Sequence, residues 1–125
     1  KIYKQLKGKK RIIGICLGFQ QILFSEGAQI IEQNKIYHGF QSKVVVNKLS
    51  KIFNEGQKFK VGRYHSLKLK EPFIAENFDI TMRCDISGAA MSFENNVDKI
   101  YGFQFHPESF LTVNGKLLIK KILSA

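Results

Sequence analysis

Two short clusters hold residue types that can make and break bonds. Gly14-Ile15-Cys16-Leu17-Gly18 sets a cysteine between two glycines, directly after an apolar run (Ile12, Ile13, Ile15) and directly before a segment of helical character. A nucleophile on a tight strand-to-helix turn is pushed out of the sheet into a crevice, and the strained backbone there calls for small neighbours on both sides. The following helix points its amides and the positive end of its dipole at the sulfur, which favours thiolate over thiol. The same residues also fit a plainer reading, in which Cys16 is a small buried hydrophobe, the commoner fate of a free cysteine. Cys84, between Arg83 and Asp85, has no such frame and reads as structural or merely exposed.

The second cluster is Phe103-Gln104-Phe105-His106-Pro107-Glu108. Pro107 ends strand pairing just after the histidine. A thiolate nucleophile needs a base that takes its proton and later returns it to the leaving amine, and a third group that fixes the imidazole tautomer. His106 and Glu108 suit those roles, and both fall at the carboxyl end of a strand, the edge where α/β sheets place their sites. The bland alternative is a strand-terminal histidine beside a surface glutamate. His38, before Gly39, and His65, in Arg63-Tyr64-His65-Ser66-Leu67, compete for the base. No pair of histidines has the close spacing of a zinc site, so no metal is expected.

These groups must be positioned by the elements around them. Residues 11–15 form a short buried strand, and Leu17 to Ser25 a helix stopped by Glu26-Gly27. Further strands are expected at Ala28 to Ile31, Val44 to Val46, Phe78 to Cys84 and Ala89 to Phe93. Phe59 to Leu69 holds strand material around a loop at Gly62 to Ser66, and Asn95-Asn96 turns the chain toward a strand over Ile100 to Phe105. Val113 to Leu123 closes as an amphipathic helix with Leu117, Leu118, Ile119, Ile122 and Leu123 apolar. The order predicts a single α/β layered domain with a mixed sheet.

The chain has 125 residues, 44% of them hydrophobic, enough for one core. No apolar run approaches the roughly 18 residues of a membrane span, and no secretory signal pattern is visible. Lys1-Ile2-Tyr3 begins without Met, as in a processed chain or a piece of a longer one. The formal charge of +10 raises nucleic acid or an acidic partner as a possibility. Against nucleic acid stand the scattered lysines and the small share of arginine, 3 of 20 basic residues, since base readout and phosphate forks favour arginine. Two cysteines are too few for a secreted scaffold of this size, so reduced thiols and a cytoplasmic location are expected.

Taken together, Gly14 to Gln20 with Phe105-His106-Pro107-Glu108 resembles the class I, triad-type glutamine amidotransferases. Arg63 to Leu67, His38-Gly39, Pro107-Glu108-Ser109, Thr112 and Gly115 are similar to the small subunits of anthranilate synthase and aminodeoxychorismate synthase. The resemblance runs from about Arg11 to the end of the chain. It implies a flavodoxin-like domain over residues 1–125, with an open, mixed, largely parallel sheet flanked by helices. It also implies that Cys16 attacks the side-chain amide of L-glutamine to give a γ-glutamyl thioester and ammonia. His106 would act as base and then acid with Glu108 orienting it, and the Leu17 amide would donate to the oxyanion. Gln20, Ser66 and Leu67 would contact substrate. Ammonia would pass to a synthase subunit that aminates chorismate. No metal or organic cofactor is implied for this chain, although the synthase would use magnesium.

Position 19, often His in this family, is Phe here. Only a short stretch precedes Cys16, without the Gly-rich loop that supplies half the oxyanion hole, so the chain reads as the C-terminal portion of the domain. Losing an oxyanion donor costs about 10²–10³ in rate, so weak hydrolysis or none is expected of the chain by itself. Two other readings compete: a stand-alone thiol hydrolase of γ-glutamyl bonds, and an inactive basic remnant that docks on a partner.

Overall fold

The computed structural model describes residues 2–32, 40–63, 67–108, 112 and 114–125. The reactive turn is set by its first parallel strand pair. β1 (Ile12–Ile15) lies parallel to β8 (Ile100–Phe103), with Ile12 opposite Ile100 and Ile15 opposite Phe103. α1 (Ile2–Leu6) precedes β1. Between β1 and β8 in sequence come α2 (Leu17–Ser25), β2 (Ile30–Glu32), β3 (Phe40–Val46), β4 (Lys58–Arg63), β5 (Leu67–Leu69), β6 (Asp79–Cys84) and β7 (Ala90–Asn95). α3 (Gly115–Ser124) closes the chain. The main sheet runs β1-β8-β7-β6-β3-β4, and β2 pairs with β5 in a separate antiparallel ribbon.

The sheet is mixed, as the sequence predicts, but it is not largely parallel among the described strands. Only the β1–β8 pairing is parallel; β8–β7, β7–β6, β6–β3 and β3–β4 are all antiparallel. The connections decide this. Tight hairpins can join only antiparallel neighbours, whereas a parallel pair needs a long crossover. The β7–β8 turn is built by Asn95, whose side-chain oxygen accepts from the amides of Val97 (3.1 Å) and Asp98 (2.9 Å), with Lys99 at φ 59° completing the reversal.

Opposite faces of the sheet bury two sets of side chains. α3 lays Leu118 and Ile122, one helical turn apart, against Val44, Val61, Met82, Met91, Tyr101, Phe103 and Phe105. α2 buries Phe19, Ile22 and Leu23 against Ile80, Ala90, Phe93 and Ile100 on the other face. A Cβ on Gly102 would fall 2.3 Å from the Phe93 ring, so that ring occupies the space a side chain would take.

Most boundaries agree with expectation to within a few residues. β3 extends back to Phe40 from the short Val44–Val46 stretch, because its ladder with β4 is satisfied along that whole length. α1 lacks a sequence signal of its own. It is fastened to the end of α2 by Tyr3, whose hydroxyl donates to Glu26 (2.5 Å), and by Lys7, which pairs with the same carboxylate at 2.9 Å. Arg11 bonds the carbonyls of Leu123 (2.7 Å) and Ala125 at the end of α3. Lys7 and Arg11 are thus spent on internal fastening. Cys84 is buried in the core, the structural one of its two readings.

Candidate active site

Cys16 stands between β1 and α2 with φ 53° and ψ −101°, a conformation that strains any residue with a Cβ. Its amide donates to the Phe103 carbonyl (2.8 Å), continuing the β1–β8 ladder one step beyond the strands, and its carbonyl accepts from Gln20 (3.1 Å), opening α2. The two flanking glycines play unequal parts. A Cβ on Gly14 would lie 2.8 Å from the carbonyl carbon and oxygen of Gly18 and 2.7 Å from Ile22, so the first turn of α2 sits against bare backbone. Gly18 itself has nothing within 4 Å of a built Cβ, so the steric demand for a small residue falls on position 14.

The half-buried sulfur is more protonated than its place before a helix suggests. Burial pushes the Cys16 thiol up and the Glu108 charge adds to this; hydrogen bonds from the Leu17 amide and the Gln104 side chain pull the other way and do not offset it. The helix-dipole expectation of a favoured thiolate therefore does not hold here, because desolvation of the charged form outweighs the amides.

On the neighbouring strand the chain leaves β8 through Gln104 and Phe105 to His106. The His106 amide donates to the Gly62 carbonyl (3.3 Å), bridging the turn to β4. His106 Nδ1 lies 2.6 Å from a Glu108 carboxylate oxygen, so the two residues flanking Pro107 are paired as the sequence spacing suggests. A carboxylate on Nδ1 fixes the orientation of the imidazole ring.

Two further residues brace this turn. The buried Thr112 hydroxyl accepts from the Gly62 amide (2.8 Å) and donates to the His106 carbonyl (2.6 Å), joining β4 to the histidine. Gly115 opens α3 so close to Pro107 that a Cβ there would sit 1.8 Å from the Pro107 carbonyl oxygen. Both belong to the sequence pattern quoted above, but only the fold shows what they touch. A groove of about 680 Å³ opens between this turn and α3, walled in part by Glu108, Thr112 and Leu117 and not by Cys16.

The remaining expected residues are placed less uniformly. Gln20 is buried, and its amide nitrogen donates to the Gln104 side-chain oxygen (3.0 Å). Leu67 opens β5, half-buried, opposite Glu32 of β2. Leu17 has an exposed side chain, while its amide bonds the sulfur. Ser66, His38 and His65 lie outside the described residues. Gln104 is the site residue that sequence reasoning passed over. It is fully buried with its amide nitrogen 3.8 Å from the Cys16 sulfur, a contact that follows from the β1–β8 register and that no spacing in the sequence encodes.

The family model described as Glutamine amidotransferase class-I matches residues 1–125. The chain belongs to this family. Among curated relatives, the chain is 38% identical over 124 residues to anthranilate synthase component 2 of Lactococcus lactis, covering 98% of this chain and 63% of that protein. It is 36% identical over 121 residues to anthranilate synthase component 2 of Helicobacter pylori, covering 97% of this chain and 60% of that one. The chain thus spans about three fifths of the length of these relatives. It is also 36% identical over 123 residues to the bifunctional protein TrpGD of Thermotoga maritima, covering 98% of the chain and 21% of that protein. Its fold is similar to that of a solved protein of Thermoplasma acidophilum described as a putative GMP synthase subunit. That likeness has a TM-score of 0.77 at 24% identity and covers 91% of this chain and 56% of that one. Among the described residues no cluster of three or more His, Cys, Asp or Glu side chains could hold a metal ion, and no helix is long and apolar enough to cross a membrane.

Proposed function

We propose that this amidotransferase chain is the glutamine-hydrolysing part of a cytoplasmic synthase that aminates chorismate, with Cys16, His106 and Glu108 as its reactive triad. The observation that carries the reading is the parallel β1–β8 pair. It brings the strained Cys16 turn and the paired His106–Glu108 turn to the same end of adjacent strands.

The reaction follows from the groups present. His106 takes the Cys16 proton, and the thiolate attacks the side-chain carbonyl carbon of L-glutamine. The Leu17 amide, already aimed at the sulfur, donates to the oxygen that gains charge in the tetrahedral adduct. As the adduct collapses, the carbon–nitrogen bond breaks, and His106 returns the proton so that ammonia leaves. A γ-glutamyl thioester remains. Water, deprotonated by His106, attacks it and releases glutamate and the thiol. Glu108 holds the imidazole and stabilises its charged form. Substrate contact is assigned to Gln20, Ser66 and Leu67. Because burial and the Glu108 charge raise the Cys16 thiol, its ionisation relies on His106 taking the proton.

Ammonia would then reach a synthase subunit, giving anthranilate, the product that the relatives' names point to, or 4-amino-4-deoxychorismate. The test is ammonia release from glutamine by the chain mixed with a chorismate-using synthase subunit, beside Cys16→Ala. The reading expects release that depends on Cys16 and on the partner, while added ammonia still supports the synthase with the variant. Loss of ammonia-dependent synthesis with Cys16→Ala would show the role given to Cys16 to be wrong.

A further inference from the structure

At the end of β8, Gln104 has its backbone fixed and its side chain fully enclosed. Its amide donates to the Met91 carbonyl (2.9 Å), and no part of the side chain reaches solvent. The side-chain amide is used at both ends. Gln20 Nε2, on α2, donates to Gln104 Oε1 at 3.0 Å, and Gln104 Nε2 lies 3.8 Å from the Cys16 sulfur. The three side chains form a directed chain from α2 through β8 to the nucleophile.

The direction of that chain matters. With Gln20 Nε2 on Gln104 Oε1, the Gln104 NH₂ faces the sulfur. The opposite orientation would set oxygen against sulfur and NH₂ against NH₂. A neutral thiol is a weak acceptor, but a thiolate is a charged one, and hydrogen bonds to charged groups are roughly twice as strong as neutral ones. The contact therefore strengthens as Cys16 ionises.

We propose that Gln104 is a positioning residue of the nucleophile: its NH₂ group, oriented by Gln20, hydrogen-bonds the Cys16 sulfur and stabilises the thiolate during attack. The proposal rests on the reading of Cys16 as the nucleophile but not on the identity of the substrate. It also gives Gln20 a task besides substrate contact. Among the described residues, the ionisable groups of the turn beside this sulfur are Glu108, whose charge opposes the thiolate, and His106, which Glu108 holds, while Glu94 of β7 lies opposite Tyr101 and accepts from Ser50 and Lys51. Tyr101 of β8 belongs to the core on the opposite face, and Glu26 lies past the far end of α2.

The test reads the sulfur directly. In the wild-type chain, the Gln104 side-chain NH₂ resonances are followed by NMR through the Cys16 titration, with Cys16→Ser as the reference. The resonances should move with thiol ionisation and stay still in the reference. Site-resolved alkylation of Cys16 by iodoacetamide is then measured against pH in Gln104→Leu, Gln104→Glu and Gln20→Leu, each checked by circular dichroism. Each variant should move the alkylation profile to higher pH, so that the rate near pH 8 falls roughly tenfold, as one hydrogen bond to a charged acceptor warrants. Gln104→Leu with Gln20→Leu together should cost no more than Gln104→Leu, since Gln20 acts through Gln104. Stationary NH₂ resonances, or an unmoved profile in a folded Gln104 variant, would overturn the proposal. A wild-type chain that shows the coupled titration yet hydrolyses no glutamine even when mixed with a chorismate-using synthase subunit would uphold it and defeat the glutaminase reading instead.

Discussion

Gly115→Ala adds one methyl group where α3 meets the His106 turn. The built Cβ lies 1.8 Å from the Pro107 carbonyl oxygen and 2.9 Å from its carbon. Close C···O contacts are about 3.3 Å, so α3 and the turn must part by about 1.5 Å. Both sides of the contact are backbone, and no flexible side chain can yield. Overpacking of this kind costs about 1–3 kcal/mol, against at most about 1 kcal/mol that alanine gains over glycine in a helix. A net loss of about 1–2 kcal/mol lowers the melting temperature of a 125-residue domain by about 4–8 °C. Displacing Pro107 also displaces His106, and a misplacement of about 1 Å can cost about 10²-fold in catalysis. Gly18→Ala is the matched control, because nothing lies within 4 Å of its added methyl and only the helix gain remains. Thermal unfolding by circular dichroism and glutamine hydrolysis with the partner subunit read both effects. If Gly115→Ala melted at or above the wild type, as Gly18→Ala should, the close approach of α3 to Pro107 would not be what holds the turn.

Thr112→Val leaves the buried Gly62 amide without its acceptor, a cost of about 1–3 kcal/mol, and should lower the melting temperature by about 4–11 °C while Thr112→Ser restores it; equal melting of Val and Ser variants would refute the bracing role. Glu108→Gln removes a charge that raises the Cys16 thiol, so alkylation of Cys16 near neutral pH should quicken even as hydrolysis falls; unchanged or slower alkylation would count against the Glu108 effect. Burial pushes the Glu26 carboxyl up, but the hydrogen bonds from Tyr3 and Lys7 and the lysine charges prevail and hold it below the usual range. Its contribution is therefore present above the ordinary glutamate range and lost as pH falls through the depressed value. The melting advantage of wild type over Glu26→Gln should be seen at pH 7 and fade in the acid range below about pH 4; a gap that stays constant with pH would argue against this linkage.

The reactive residues were legible because their chemistry is local. Gly-x-Cys-x-Gly after an apolar run and His-Pro-Glu after another each encode a backbone turn, and the Phe-rich and Ile-rich runs encode strands by composition alone. Tertiary structure decided the relations between them. Only strand pairing could put Cys16 beside Phe103, place Gln104 against the sulfur and leave the sheet mainly antiparallel, because register depends on which distant strands meet. Desolvation is equally non-local. The amides that precede a helix promise a thiolate in sequence, while the burial that raises the thiol comes from the packed surroundings. Thr112 and Gly115 show the same division: the sequence names them, and their worth arises where α3, β4 and the His106 turn are brought within van der Waals reach.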